Sequence, residues 1–564
     1  MDRLKLILAL LLFSFAKNNL LAKNNKAYSE KNNAIKENVY ISINSNVALT
    51  GERLYFSLIC VKNNNTYSDL SKIAYVELIN DSKEVVKRQK LSLNDGKSQS
   101  FFFIPSDFKT GNYKIVGYTN WMLDSNDIEL NAINISIINT YQPLQLKEKQ
   151  FQKVSIDLTN NIIDEKTKLS FLNKKTYSKR ELVKLSMDNL IKLNPSSNYS
   201  LKVYKKDSLT DFFNQSTGLK NEKIKLIKKT TEKPISEIRG EIITGKITSK
   251  QKNIDLKNID LAVTITNKTS FIKIIQTNHL GHFGFSIENL SENSNLLIQI
   301  LNDDYDKYDI ELNTTDYLDY SSLQFESFNI NASLNKSLEK RSISNQIENA
   351  YIESKKDSIK SVQEFREFLK LDNIYNLEDY TRFKSLKETL KEIIPHAYYK
   401  KIGKKNTIQI SDNTKDYDSN SPTLIIIDGI YIQDADELFN YNFDNVKSIG
   451  VKRDGYLLGS KIFNGILWIE TISGDYEPNN NFVVKKEILR PSPELVYFKP
   501  DYSQSSSSRI PDYRLQLLWI PRVKTDDKEI FFYTSDLEGD YEIVMEEITS
   551  TGLRKIYTDS FEVK

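Results

Sequence analysis

Along residues 39–44 apolar and polar side chains alternate: Val39, Ile41 and Ile43 stand between Tyr40, Ser42 and Asn44. That two-residue period marks a strand with one buried face. A turn at Thr50-Gly51-Glu52 leads into the apolar run Leu54-Tyr55-Phe56-Ser57-Leu58-Ile59, and the pattern predicts further strands at 73–79, 85–93, 100–104 and 111–118. Asn94-Asp95-Gly96 suits a hairpin turn, because Asp-Gly tolerates positive φ. Short strands with turn residues between them predict a β-sandwich, here over 39–141. Strand-like runs recur at 176–185 and 198–203, which predicts a second β domain over 142–220, and after a Lys-rich link at 221–233 they recur through 234–320. A last set at 513–518, 529–534, 540–546 and 555–563 predicts a terminal sandwich over 477–564.

Between 321 and 400 the period lengthens. Ile343, Ile347 and Tyr351, then Ile359, Val362, Phe365 and Leu369, predict a helix over 343–369. Leu377, Tyr380, Phe383, Leu386, Leu390 and Ile393 predict a second helix over 377–394, with Asn376 as its cap and Pro395 as its stop. The pattern is too short for sustained heptads, so the pair is expected as a helical connector. Within 401–476, Leu424-Ile425-Ile426-Ile427 is a buried strand ending at Asp428-Gly429, and a second Gly turn stands at Asn464-Gly465. Both are expected as turns requiring positive φ. The fold expected is mainly β: tandem sandwiches of Ig-like or macroglobulin-like type, a helical connector and a small α+β module.

The same residues carry resemblances. The stretch 39–61, with Tyr40, Thr50-Gly51-Glu52 and Tyr55-Phe56, and the ending Gly111-Asn112-Tyr113-Lys114 through Asn120-Trp121-Met122, resemble the MG2-type domain of macroglobulins over 39–141. Thr176-Tyr177-Ser178-Lys179-Arg180-Glu181 resembles the start of a second such domain. Thr277-Asn278-His279-Leu280-Gly281-His282-Phe283 is similar to the hairpin of carboxypeptidase-regulatory-like domains, sandwiches that carry no active site of their own. The order L-I-I-I-D-G at 424–429, D-x-V-x-S-I-x-V at 444–451 and N-G-I-L at 464–467 resembles the plug of TonB-dependent outer-membrane receptors. Only residues 477–564 follow it, too few for the transmembrane barrel that such a plug fills. The whole order resembles exported proteins of the Bacteroidetes type that join these modules. The resemblance implies an address at the cell envelope and no reaction.

Composition narrows the classes. A chain of 564 residues is too long for one core, and 39% hydrophobic with 27% charged residues fits folded domains. Basic and acidic residues nearly cancel, 78 against 75, without a basic stripe, which argues against a nucleic-acid partner. Arg3 and Lys5 precede an apolar run over 6–15 with small residues Ser14 and Ala16, the parts of a secretory signal peptide expected over 1–22, cleaved after Ala16 or Ala22. The run is too short to span ~30 Å of hydrocarbon. A polar leader is expected over 23–38, and the protein is expected in the periplasm, associated with the outer membrane or at the cell surface. With Cys60 as its only cysteine, no internal disulfide is available, and at the end of an apolar strand it is expected as a small hydrophobe.

Catalytic chemistry finds little support. His279 and His282 have a metal-ligand spacing, but the hairpin pattern around Gly281 asks only for polar positions there. His396 follows Pro395 without a marked partner, and the acidic run from Asp303 to Asp309 lacks the Gly of an EF-hand loop. Cys60-Val61-Lys62-Asn63 does not match the C-G-E-Q thioester of trapping macroglobulins. No nucleophile elbow, phosphate loop or H-E-x-x-H stands in the chain. No enzyme activity, cofactor or metal is therefore expected. The expected role is a binding or scaffold protein of the cell envelope, docking to an outer-membrane transport or assembly complex with a β-barrel protein among the candidate partners. The alternative is a macroglobulin-like endopeptidase inhibitor acting without a thioester. Tyr456, Leu457, Leu458, Phe463 and Trp468 are the expected interaction residues, since aromatic anchors often dominate interfaces. The competing expectation packs them internally, on the helices or the final sandwich.

Overall fold

A computed structural model describes residues 35–564 apart from 64–65, 125–127, 144–164, 188–196, 217–220, 231–232, 250, 252–253, 266–270, 289–294, 302–304, 314–315, 360–368, 404, 412–420, 479–482, 493, 504–508, 525–526 and 550–553. The expected signal peptide, most of the leader, the 360–368 part of the first helix, Asp303-Asp304 and the serines 505–508 lie outside the described residues. The fold is mainly β, with many separate sheets and few helices. No described helix is long and apolar enough to cross a membrane.

The alternation over 39–44 has the expected consequence. Strand Glu37–Ile43 pairs with Arg53–Lys62, which pairs with Lys97–Phe103. Opposite this sheet lies a larger one built around Ile73–Ile79, Gly111–Tyr118 and Ile128–Ile138. Val39, Ile41, Phe56, Val76, Ile115 and Ile133 interdigitate between the two, with Cys60 among them. Glu37, which its polarity places in the leader, is buried: its carboxylate accepts from Ser71 Oγ and Thr119 Oγ1 at 2.6 Å each. Asp95 and Gly96 both adopt positive φ, as the turn chemistry requires. Their turn hands the chain from one sheet to the other, since Val85–Ser92 belongs to the large sheet and Lys97–Phe103 to the small one.

The presumed link at 221–233 is a strand. Asn221–Lys228 pairs with Ile128–Ile138 and, at its end, with Leu318–Asp319, and buries Ile224 and Leu226. Alternating lysines on its outer face disguise it as a linker. The second and terminal β domains are likewise corrected: 142–220 and 477–564 are not two sandwiches. Strand Asn198–Lys205 lies between Gly539–Ile548 and Gln516–Ile520, while Leu182–Ser186 pairs with Glu529–Tyr533. Tyr199, Leu201 and Val203 share one core with Leu518, Ile543 and Phe561. Neither segment has enough strands to cover its own apolar face, so the two complete one sandwich. Within the 234–320 region, Val483–Glu487 joins Phe271–Gln276, Asp260–Ile265 and Asn295–Ile300 in one sheet.

Among the described residues, the helices of the connector are shorter than their spacing predicts. The first helix is Asn335–Ala350, and its inward face is Leu338, Arg341 and Ser344. Ile343 is 50% and Tyr351 40% exposed. Ser358–Ile359, expected as helix, pairs as a strand with Leu495–Val496. The second helix is Leu386–Glu392, because Ser385 accepts from Glu388 N and donates to Glu388 Oε2 in a capping box. Asn376 therefore caps no α-helix: Asn373–Asn376 is the edge strand of the next sheet, paired with Val446–Lys452.

That sheet runs Asn373–Asn376, Val446–Lys452, Ile466–Thr471, Leu424–Ile427, Ile430–Ile432. Leu424–Ile427 is buried on both faces, as a continuous apolar strand should be. Ile425 and Ile427 pack with Leu386, Leu390 and Ile393, and Leu424 and Ile426 pack with Ile272 and Ile274 of the strand Phe271–Gln276. Asp428 and Gly429 have φ of 48° and 83°, and the Asp428 carboxylate accepts from Thr471 N, Thr471 Oγ1 and Tyr476 N. Asn464-Gly465 differs from expectation, since neither residue has positive φ. Gly465 is needed for close approach instead: a Cβ there would stand 2.6 Å from the Lys452 carbonyl oxygen.

Candidate functional site

The expected interaction residues fall on a hairpin and the strand beside it. Tyr456–Leu458 and Lys461–Phe463 pair with Tyr456 opposite Phe463, Leu457 opposite Ile462 and Leu458 opposite Lys461. Directly opposed residues share a face, and neighbours along a strand do not. The hairpin therefore sorts its side chains in two. Leu458 and Phe463 point into a core with Ile272, Ile274, Leu424, Ile426 and Trp468, and Phe463 is 0% exposed. Tyr456 packs half-buried against the same core. On the other face Leu457 is 69% and Ile462 56% exposed.

Leu458, Phe463 and Trp468 are thus internal packing residues. Their neighbours include Ile272 and Ile274 of the strand Phe271–Gln276 and Leu369, at the end of the expected first helix, and no residue of the expected final sandwich. Leu457 remains on the surface, and the structure adds Ile462 beside it. The missing signal was phase: a hairpin of alternating period cannot present Leu457 and Leu458 to the same side.

The hairpin is fixed at its turn. Gly459 has φ 60°, and a Cβ there would stand 2.0 Å from the Ile274 carbonyl oxygen. Ser460 Oγ donates to Asp260 Oδ1 at 2.8 Å, and Lys461 Nζ lies 3.2 Å from Asp260 Oδ2. Partial burial opposes ionisation of Asp260, but hydrogen bonds from Ser460, Gln276 and Lys461 with the lysine's charge hold its carboxyl below the usual range. The exposed pair stands on a turn tied to the strand Asp260–Ile265.

The other expected positions carry no comparable arrangement. His279 and His282 are both exposed on a turn where Asn278 Oδ1 accepts from Leu280 N and His282 N, with Gly281 at φ 77°. Among the described residues no group of three or more His, Cys, Asp or Glu is placed to hold a metal. Cys60 is fully buried, and burial first, then the charge of Glu37, pushes its thiol well above the ordinary range. A thiolate nucleophile is disfavoured there.

A polar cleft of about 190 Å³ lies where the first sandwich, the composite sandwich and the helix Asn335–Ala350 meet. Its groups are paired with one another. Arg341 donates to Glu52, Thr210 and the Val47 carbonyl. Asp357 accepts from Tyr55 Oη and Phe498 N at 2.8 Å each, and Lys355 Nζ donates to Glu348 and the Pro511 carbonyl. With these charged groups matched internally, the cleft works as a clamp between segments. Spacing alone hid it, since Arg341 lies on the side of the helix opposite Ile343, the apolar residue that proves to face water.

No family model matches the chain, and no curated protein does. Among solved structures, a Salmonella alpha-2-macroglobulin reacted with methylamine aligns at 7% identity and TM-score 0.23, covering 94% of this chain and 39% of that one. An Escherichia coli alpha-2-macroglobulin activated by porcine elastase aligns at 8% identity and TM-score 0.22, over 94% and 43%. Dimeric latent PorU from Porphyromonas gingivalis aligns at 9% identity and TM-score 0.14, over 52% and 33%. The chain spans less than half the length of each of these structures, and scores this low leave the functional reading to the residues themselves.

Proposed function

We propose that the chain is a non-catalytic scaffold of the cell envelope that docks to a protein partner at the outer membrane, a β-barrel protein of a transport or assembly complex being the partner class. One observation carries this reading: Leu457 and Ile462 are opposed on the outer face of a hairpin whose inner face is locked into the fold. Large apolar side chains held rigidly in water are suited to become the buried centre of an interface. The export pattern of the N-terminus and the plug-like order of 424–467 supply the envelope address.

The test is a photo-crosslinking residue at position 457 or 462 in envelope preparations, beside the variant Leu457→Asp plus Ile462→Asp. A recurring barrel protein crosslinked at these positions, and lost in a variant of unchanged melting temperature, supports docking. A double variant that retains its partner overturns the role of this hairpin. A protease as the recurring adduct would favour the inhibitor alternative.

A further inference from the structure

The charge of the chain is unevenly placed. Residues 382–405 contain eight lysines and arginines against two glutamates, a net charge of +6, while the whole chain carries +3. The fold gathers this segment into one projection: the helix Leu386–Glu392 and a hairpin of Ala397–Ile402 with Lys405–Ile410. The hairpin is a two-stranded sheet that pairs with no further described strand. Ala397, Ile408 and Ile410 turn inward onto Leu386, Leu390 and Ile393. Tyr398, 51% exposed, and Lys400 stand on the outer face, while Tyr399, 45% exposed, and Lys401 share the face of Ala397 and Ile408 and reach water at its margin; Lys405 at the hairpin's end is exposed too.

The positive charge is not neutralised locally. Among the described residues no carboxylate forms an ion pair with Lys384, Lys387, Lys400, Lys401 or Lys405, whereas Lys391 has Glu392 at 3.5 Å. Nearby acids are engaged elsewhere: Glu388 by Ser385, Asp436 by the Asn406 amide at 3.2 Å, and Glu437 by Tyr476 Oη at 2.7 Å. Tyr399 is held edge-on to Phe439, with the Lys387 ammonium 5.3 Å from its ring centre. Lysines and tyrosines are therefore exposed on both faces of one projecting hairpin, with the Tyr399 ring held in place by Phe439.

We infer that this basic, tyrosine-bearing projection seats the protein on an anionic phospholipid surface. Three features favour lipid over a nucleic acid. The free cations are lysines, mobile point charges suited to a fluid layer of headgroups. The segment holds a single arginine, Arg382, whose Nη1 donates to the Asp444 and Val446 carbonyls, so it offers few guanidinium forks to a phosphate backbone. Tyrosine, apolar in body and polar at its tip, suits the headgroup level where such rings concentrate. The hairpin Tyr456–Phe463 plays no part in this contact, and the inference does not rest on it.

The experiment is co-flotation of the full chain with vesicles of phosphatidylcholine alone or with about one third phosphatidylglycerol. Binding is expected to the anionic vesicles, to weaken in high salt as screening shortens the reach of the charges, and to be absent on phosphatidylcholine. The variant Lys400→Glu plus Lys401→Glu plus Lys405→Glu is expected to lower partition at least about tenfold with unchanged melting. A control with the same charge change elsewhere, Lys174→Glu plus Lys179→Glu plus Lys184→Glu, should keep its binding. Equal binding to neutral vesicles, an unaffected triple variant, or an equal loss in the control overturns the inference. Capture of duplex DNA or an anionic polysaccharide without vesicle binding also overturns it, in favour of a polyanion site.

Discussion

Arg341 and Glu52, 289 residues apart in the chain, form a two-point pair: Nε to Oε1 at 2.7 Å and Nη2 to Oε2 at 2.8 Å. The side chains are 9% and 15% exposed, so neither charge is solvated on its own. Removing one partner strands the other, a loss of about 3–5 kcal/mol for a buried pair. Arg341→Ala is expected to lower stability on that scale in chemical denaturation. Arg341→Met with Glu52→Gln, which removes both charges, should recover part of the loss. If Arg341→Ala melts like the parent, the clamp does not hold the segments together.

The hairpin predicts an energetic split between neighbours. Phe463→Ala removes a fully buried ring and is expected to cost about 3–5 kcal/mol, while Leu457→Ala, on the open face, should stay within about 0.5 kcal/mol. The double change Tyr456→Asp plus Leu458→Asp is accordingly expected to destabilise the fold before it tests any interface. Equal melting shifts for Phe463→Ala and Leu457→Ala would contradict the burial pattern.

What was legible in the chain followed from local physics. The alternation at Val39, Ile41 and Ile43, the turns at Asp95-Gly96 and Asp428-Gly429, and the all-apolar strand Leu424–Ile427 each declare their state through period or backbone sterics. Partner choice did not show. The strand at 198–203 announces itself, yet nothing in its residues says that its neighbours come from 516–548. Helix ends were misplaced where a local hydrogen bond outweighed spacing, as Ser385 and Glu388 do at the second helix. The candidate site was half legible: Leu457 of the expected segment is exposed, but its facing required the register that puts Leu457 opposite Ile462.

The joint between the first sandwich and the strand Glu241–Ser249 is expected to be pH-dependent. Glu237 is buried there, accepting from Tyr75 Oη at 3.1 Å and Asn120 Nδ2 at 3.0 Å. Burial lifts its carboxyl from 4.5 to about 7, against the charge of Lys90. Because the folded value is the higher one, the contribution of Glu237 is fully present below about pH 4.5 and is lost as pH rises to about 7. Glu237→Gln cannot ionise, so its melting temperature should fall less than the parent's between pH 5 and pH 8. Parallel pH profiles for the two proteins would show that Glu237 is already ionised in the fold.

The composite sandwich makes the most demanding prediction. Asn198–Lys205 has strands of the C-terminal segment on both sides, and the buried Leu201 and Val203 pack against residues beyond 516. A chain ending at residue 508 would leave that strand with two open edges and an uncovered apolar face. Such edges are templates for aggregation. Truncation is therefore expected to make 165–205 sensitive to protease and the protein prone to associate, while Asp428 and its latch on Thr471 remain in a resistant fragment. Supplying 509–564 as a separate chain during refolding should restore protection of 165–205, because the pairing is non-covalent. If the truncated chain shows the same protection over 165–205 as the parent, the two segments do not depend on each other and the shared core is wrong.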